Sequence, residues 1–277
     1  ESTLQTRSCS SRPNRRHTPR ASNSSSTVGC SATAPDAAIM ATFLAIHGAW
    51  SAGWAWWRVH PLFTRAQARL LTPTCTGLGE RSHLLGLHVD LGLHIKDMAQ
   101  VIENEDLSDI VLIAHSYGVI VATGLADRLP DRIKHFIYLD ALLPESGESA
   151  LDLLPSAQRV GIMQAVHEKG FGWLIPPSPL PSDTPLRDRE LAISRRGPQP
   201  LRTFTESLEL RGHAEHIPTT YVYCTDAGPI DSFGLSAARA KRRRGWHFQE
   251  LAASHNPHIT IPKAFAALIF SIASDRA

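Results

Sequence analysis

Residues 110–130 read IVLIAHSYGVIVATGLADRLP, and this stretch decides the fold. Ile110–Ala114 is an unbroken apolar run of strand length. Tyr117–Leu129 has helical spacing and stops before Pro130, which cannot continue a helix. Ser116 sits at the junction. An apolar strand that runs through a serine directly into a helix is the strand–turn–helix setting of a nucleophilic serine. The tight turn lifts the hydroxyl above the sheet edge. The helix start behind it offers free N–H groups and a positive dipole end to developing negative charge. The usual pattern is G-x-S-x-G; here Ala114 holds the first position and is small enough for strand and helix to approach closely. A lone serine before a helix more often caps it, so the assignment rests on what lies around it.

Moving outward, the alternation continues in both directions. Thr42–His47 and Arg69–Thr74 upstream, and Ile133–Leu139, Thr219–Cys224 and Trp246–Leu251 downstream, read as strands. Ala52–Ala66, His94–Glu105 and Pro262–Ser274 carry helical spacing. Strands that are apolar throughout, separated by amphipathic helices, predict an α/β fold: a mostly parallel sheet of about six strands covered by helices on both faces, each crossover right-handed. The proline-rich stretch 144–217, with short helical pieces such as Leu151–His167, interrupts this alternation and predicts a small inserted lid. The core is then 40–143 and 218–277. An apolar lid segment, Phe171, Trp173, Leu174 and Ile175, suggests an apolar, bulky substrate.

Residues 1–39 differ from the rest. Ser, Arg, Pro and Thr dominate, and large apolar residues are few, so the stretch is expected to be a disordered tail that is not native to the enzyme. Met40, followed at once by ATFLAIH, is the expected natural start. An organelle transit peptide is the lesser alternative.

The 277 residues suit one domain, and 43% hydrophobic with 19% charged residues suits a globular enzyme. A net charge of +2 gives no case for nucleic acid. Cys9, Cys30, Cys75 and Cys224 form no C-x-x-C pair, which argues against zinc and against a disulfide scaffold and fits a reducing, cytoplasmic setting. No apolar run is long enough to span a membrane. Gly77 and Gly79 make no dinucleotide fingerprint, and no metal-ligand pair is present, so no cofactor and no metal are expected. The expected partner is a small-molecule ester; a homodimer stays open.

The remaining chemistry falls at strand ends. His47-Gly48-Ala49-Trp50 follows the first strand, where a serine of this kind finds one oxyanion donor; the residue after the serine supplies the other. The N–H groups of Ala49 and Tyr117 are therefore assigned to the oxyanion hole, with Gly48 permitting the turn. The base should come last in the chain. His255, in the SHNP loop after the last strand, fits better than His258, which falls in the first turn of the following helix. For the acid, Asp226 at the end of Thr219–Cys224 ranks first, Asp231 second and Asp140, after Ile133–Leu139, third. Each could instead cap a turn. Trp50, Trp54, Trp56 and Trp57 either line a pocket mouth or belong to the core, and 241–244 (KRRR) reads as a solvated helix face.

On HGAWSAGWAWWRV (47–59), TPTCTGLGERSHL (72–84), HIKDMAQVIENEDLSDIVLIAHSYG (94–118), YLDALLPESGES (138–149), TTYVYCTD (219–226) and SHNP (254–257), the chain resembles small bacterial carboxylesterases of the α/β-hydrolase superfamily. Pyrethroid-type ester hydrolases, plant methyl esterases and plant hydroxynitrile lyases are related to these. The resemblance covers most of residues 41–274. It implies an α/β-hydrolase fold with a compact lid, an apolar pocket and a serine esterase that works through an acyl-enzyme. The lyases carry a lysine just after the base, where this chain has Asn256, and a threonine in the oxyanion loop, where it has Gly48-Ala49; both departures count against cyanohydrin cleavage. The competing readings are another bond type on the same fold (C–C, amide or cyanohydrin) and a ligand-binding member without catalysis.

Overall fold

Strands hydrophobic on both faces need cover on both faces, and that requirement builds the molecule. A computed structural model describes residues 41–228 and 230–274. The expectations for the tail 1–39 and for Met40 lie outside the described residues. The strands in chain order are β1 (Thr42–Ile46), β2 (Arg69–Leu71), β3 (Ile110–His115), β4 (Ile133–Leu139), β5 (Leu174–Ile175), β6 (Gln199–Pro200), β7 (Thr219–Cys224) and β8 (His247–Leu251). Six of them form one sheet in the order β2-β1-β3-β4-β7-β8, every neighbour parallel. Strand β3, all six residues buried and leading into Ser116, lies between β1 and β4.

The helices are α1 (His60–Arg65), α2 (Leu91–Asn104), α3 (Gly118–Arg128), α4 (Ser156–Lys169), α5 (Leu186–Arg195), α6 (Arg202–Thr205), α7 (Gly234–Arg242), α8 (Pro257–Thr260) and α9 (Pro262–Ser274). Two apolar clusters sandwich the sheet. One gathers α2, α3 and α7 with Leu44, Ile46, Leu112 and Tyr221; the other gathers α9 with Phe43, Trp56, Phe63, Ile113 and Val222. The fold class and the six strands match the sequence reading.

Boundaries shift for identifiable reasons. The single helix expected over Ala52–Ala66 divides into a 3-10 turn (Gly53–Trp56) and α1, because Pro61 is compatible only with a first turn. α2 begins three residues before His94, where the Asp90 carboxylate accepts the Leu93 N–H at 2.9 Å. α4 begins after Pro155 rather than at Leu151.

Residues 144–217, between β4 and β7, hold α4, α5, α6 and the β5–β6 antiparallel pair. Arg58 ties this segment to the core: its Nε donates to Asp188 Oδ1 at 2.9 Å, and its Nη2 to Oδ2. The KRRR run at the end of α7 is exposed throughout.

Candidate active site

Ser116 occupies the turn between β3 and α3 with φ +56°. A left-handed conformation costs a non-glycine residue roughly 1 kcal/mol, so it persists only where surrounding packing enforces it. Here the enforcement is visible. The Ser116 N–H donates to the Leu139 carbonyl at 3.2 Å, and α3 presses against β1. A Cβ on Gly118 would lie 2.5 Å from the His47 carbonyl oxygen and 2.9 Å from that of Ile46. Only glycine allows this approach, which explains the second glycine of the motif in packing terms. Ala114 is fully buried in the tolerated first position.

Two further strand-end residues share this strain: Trp50 after β1 (φ +59°) and Asp140 after β4 (φ +42°). All three crowd the carboxyl end of neighbouring strands, where open α/β sheets place their sites.

His255 follows β8. Its Nδ1–H donates to Asp140 Oδ2 at 2.7 Å, because a carboxylate only accepts, and this leaves Nε2 as the ring nitrogen without a bond to the acid. Asp140 is itself fixed. It is buried, its N–H donates to Val222 O at 2.8 Å, and its Oδ1 accepts the Cys224 N–H at 3.1 Å. The ring of Phe233 stacks on His255 at 4.7 Å.

This arrangement corrects the ranking of the acids. Asp226, ranked first, is exposed; its backbone N–H donates to Ala253 O at 3.0 Å, and its carboxylate makes no bond to His255. Asp231 accepts from Tyr223 Oη at 2.7 Å and from the N–H groups of Phe233 (3.0 Å) and Gly234 (2.7 Å), so it caps α7. Asp140, ranked third, is the one that meets the histidine. The physical reason is sheet order: β4 lies next to β3, so a residue at its end is the neighbour of Ser116, whereas β7 is one strand further out.

Ala49 and Trp50 follow β1 at the rim of the same cleft. Neither the Ala49 nor the Tyr117 N–H takes part in the loop, turn and cap hydrogen bonds of the described residues. Trp50 anchors the loop to the 144–217 segment. Its N–H donates to Gln199 Oε1 at 3.1 Å and its indole Nε1–H to Ile175 O at 3.0 Å. The fully buried Gln199 in turn donates to Thr203 Oγ1 at 2.8 Å. Sequence reading missed Gln199, because nothing local marks it.

The histidine before the serine also gains a place. His115 is buried; its Nε2–H donates to the backbone carbonyl of His255 at 2.7 Å, and the two rings are 4.4 Å apart. A Cβ on Gly48 would come 3.0 Å from His115 Nδ1, so the glycine of the His47–Trp50 loop makes room for this ring. Burial, with His255 and then His258 adding to it, holds His115 well below the ordinary histidine pKa. Burial followed by the nearby His255 lowers His258 to about 3. Both rings are therefore neutral near pH 7. His258, the competitor for the base, is buried 4.5 Å from the Trp56 ring and is neither solvent-facing nor joined to an acid.

Tyr117 is held away from the serine. Its hydroxyl donates to His94 Nδ1 at 3.0 Å, the other nitrogen of that ring donates to Thr76 O at 2.9 Å, and its ring stacks on Phe204 at 5.1 Å. Burial pushes His94 down to about 4 and the Tyr117 hydroxyl well above its usual value.

Ser116 and His255 open into one cleft of about 520 Å³, including its mouth. Trp50, Trp54, Leu180 and Ile259 supply apolar wall, and Arg196, Asn256 and Ser178 supply polar groups. The 144–217 segment thus reaches the cleft through Ser178–Pro181, Ala192 and Arg196. The expected apolar lid residues do otherwise: Phe171 is exposed, and Leu174 and Ile175 are buried in the β5 strand. Trp56 belongs to the core and Trp57 reaches the surface. No group of three or more metal-ligating side chains occurs among the described residues.

A strained serine between strand and helix and a histidine–carboxylate pair thus share one cleft at the carboxyl end of a parallel sheet. The family model described as "Alpha/beta hydrolase family" matches residues 43–268, and the chain belongs to this family of enzymes. A curated relative, a carbendazim hydrolyzing esterase of Nocardioides sp. (strain SG-4G), is 34% identical over 82% of this chain and 97% of its own length. Among solved structures, an extracellular alpha/beta-hydrolase from a Paenibacillus species is 25% identical, with a TM-score of 0.73, covering 83% of this chain and 98% of that one. A pyrethroid hydrolase shares the fold at 22% identity and a TM-score of 0.65, over 86% and 98% of the two chains.

Proposed function

We propose that the protein is a serine carboxylesterase in which Ser116 is the nucleophile, His255 the general base and Asp140 the acid that orients it. The observation that carries this reading is the 2.7 Å bond from His255 Nδ1 to the buried Asp140, beside a serine held at φ +56° in the same cleft. A relative named for carbendazim hydrolysis supports an ester bond as the target.

The steps follow from these groups. His255 Nε2 takes the Ser116 proton as Oγ attacks the ester carbonyl carbon. The N–H groups of Ala49 and Tyr117 receive the oxyanion, each contributing about 3 kcal/mol to transition-state stabilisation. The tetrahedral adduct collapses and the leaving alkoxide takes the proton from His255. Water, losing a proton to Nε2, then attacks the acyl-enzyme and frees the acid and Ser116. Asp140 keeps Nδ1 protonated and stabilises the transient imidazolium. The 144–217 segment acts as a lid that shapes the cleft and, through Trp50, sets the position of the oxyanion loop.

Hydrolysis of p-nitrophenyl esters of graded acyl length by the wild type, Ser116→Ala and His255→Ala tests this. Both substitutions should lower kcat by about 10³-fold or more. Retained hydrolysis in Ser116→Ala would remove the serine mechanism, and an inactive but folded wild type would favour a binding protein or another bond type.

A further inference from the structure

Arg196 stands just past the end of α5 and forms part of the wall of the cleft that holds Ser116, His255 and Asn256. Among the described residues it has no ion-pair partner. Among the described residues its side-chain bonds reach only Ser178: Nη1–H donates to the carbonyl at 2.5 Å, and Nη2 lies 3.5 Å from Oγ. The guanidinium carbon lies 5.6 Å from the centre of the Trp50 ring. Three or more of its five N–H groups therefore have no acceptor among the described residues. No Asp or Glu lines the cleft; of the two acids on α5, Asp188 is already engaged by Arg58, and Glu190 is exposed and forms no ion pair with Arg196.

A cation partly withdrawn from water without a counter-charge is costly, and here partial burial lowers its pKa to about 10. Packing alone does not account for it, because a neutral side chain could hold the Ser178 carbonyl as well. A planar fork with free donors, facing a cleft free of acids, is matched by a carboxylate.

We propose that Arg196 is a substrate-selecting residue that receives a free carboxylate on the substrate, away from the scissile ester, so that the favoured class is small esters bearing a second, ionised carboxyl group. The hydrolytic part of this rests on the reading of Ser116 and His255 as an esterase centre; the carboxylate site itself does not. It narrows the apolar-ester expectation: Trp50 and Trp54 flank the chain of the substrate while Arg196 fixes its charged end.

The test pairs binding with turnover. Calorimetry with glutarate on wild type, Arg196→Gln and Arg196→Lys reads the site without chemistry. Hydrolysis of the p-nitrophenyl half-ester of glutaric acid against p-nitrophenyl butyrate reads selectivity as a ratio of kcat/KM. The expected results are a Kd for glutarate raised about tenfold or more in Arg196→Gln, partly restored in Arg196→Lys, and a selectivity ratio that falls by a similar factor through KM. A residue that only braced Ser178 would slow both esters together, so an unchanged ratio overturns the proposal, as does glutarate affinity equal in all three proteins. If Arg196→Gln does not fold, the wild-type ratio decides: it must exceed about ten and fall with added salt, and a ratio of one or less overturns the proposal. Arginine-dependent glutarate binding in a protein that hydrolyses no ester would support the carboxylate site and break the esterase reading. Ester hydrolysis without any arginine-dependent carboxylate effect would do the reverse.

Discussion

The loops after β4 and β7 each carry an aspartate near their start, and the two differ in burial, in partners and in backbone conformation. Asp140 is buried, receives N–H bonds from Cys224 and His255, and sits in a left-handed conformation beside the strand that leads into Ser116. Asp226 is exposed, and the loop holds only its backbone. The lesson is that a carboxylate becomes an orienting acid through its neighbours in the sheet, not through its rank along the chain.

The sharpest way to break the comparison is to neutralise each acid in turn. Asp140→Asn removes the acceptor that keeps the His255 tautomer and should lower kcat for p-nitrophenyl butyrate by about 10³–10⁴-fold. Asp226→Asn should leave kcat within about twofold, since its side chain meets no catalytic group. Equal losses in steady-state kinetics would erase the distinction.

The next largest effect concerns the elbow that brings Asp140 and Ser116 together. Gly118→Ala puts a methyl group 2.5 Å from the His47 carbonyl oxygen, and backbone atoms cannot yield as a flexible side chain can. Denaturant unfolding should show a loss of roughly 2–4 kcal/mol. A loss under about 0.5 kcal/mol would mean that α3 moves freely relative to β1.

The smallest effect is on pH stability, and it separates the buried histidines from the buried acid. His94 and His258 have folded pKa values of about 4 and about 3, below the ordinary 6.5 of the unfolded chain. Between 6.5 and those values the unfolded state binds protons that the native state refuses, so stability falls as pH falls through this window and is level above it. Each should cost about 2 kcal/mol at pH 5. His258→Phe should flatten the acid limb of a melting-temperature profile; an unaltered slope would show that His258 titrates freely in the native protein.

Much of this candidate site is legible in the sequence. IVLIAHSYG placed the serine because an apolar strand, a turn and a helix are local patterns. His255 was legible as the histidine of the loop after the last strand, and Ala49 from its place after the first. The differences between sequence expectation and structure share a cause. Asp226 outranked Asp140 because chain order was available and sheet order was not. Phe171 and Leu174 were read as lid over the serine because their apolar character was visible but their facing was not. Gln199, Arg58–Asp188 and the Ser178–Arg196 contact pair residues 18 to 149 positions apart, Trp50–Gln199 being the widest, and carry no local pattern at all.

By itself, then, the sequence determined the strands, their parallel arrangement, the serine at the strand–helix junction and the histidine in the loop after the last strand, because hydrophobic periodicity and turn chemistry act over a few residues. Only the tertiary structure decided which aspartate meets His255, that His115 braces its backbone, and that Arg196 faces the cleft without a counter-ion. Those facts depend on which strand ends become neighbours and which charges lose water, and both are settled only when the chain closes on itself.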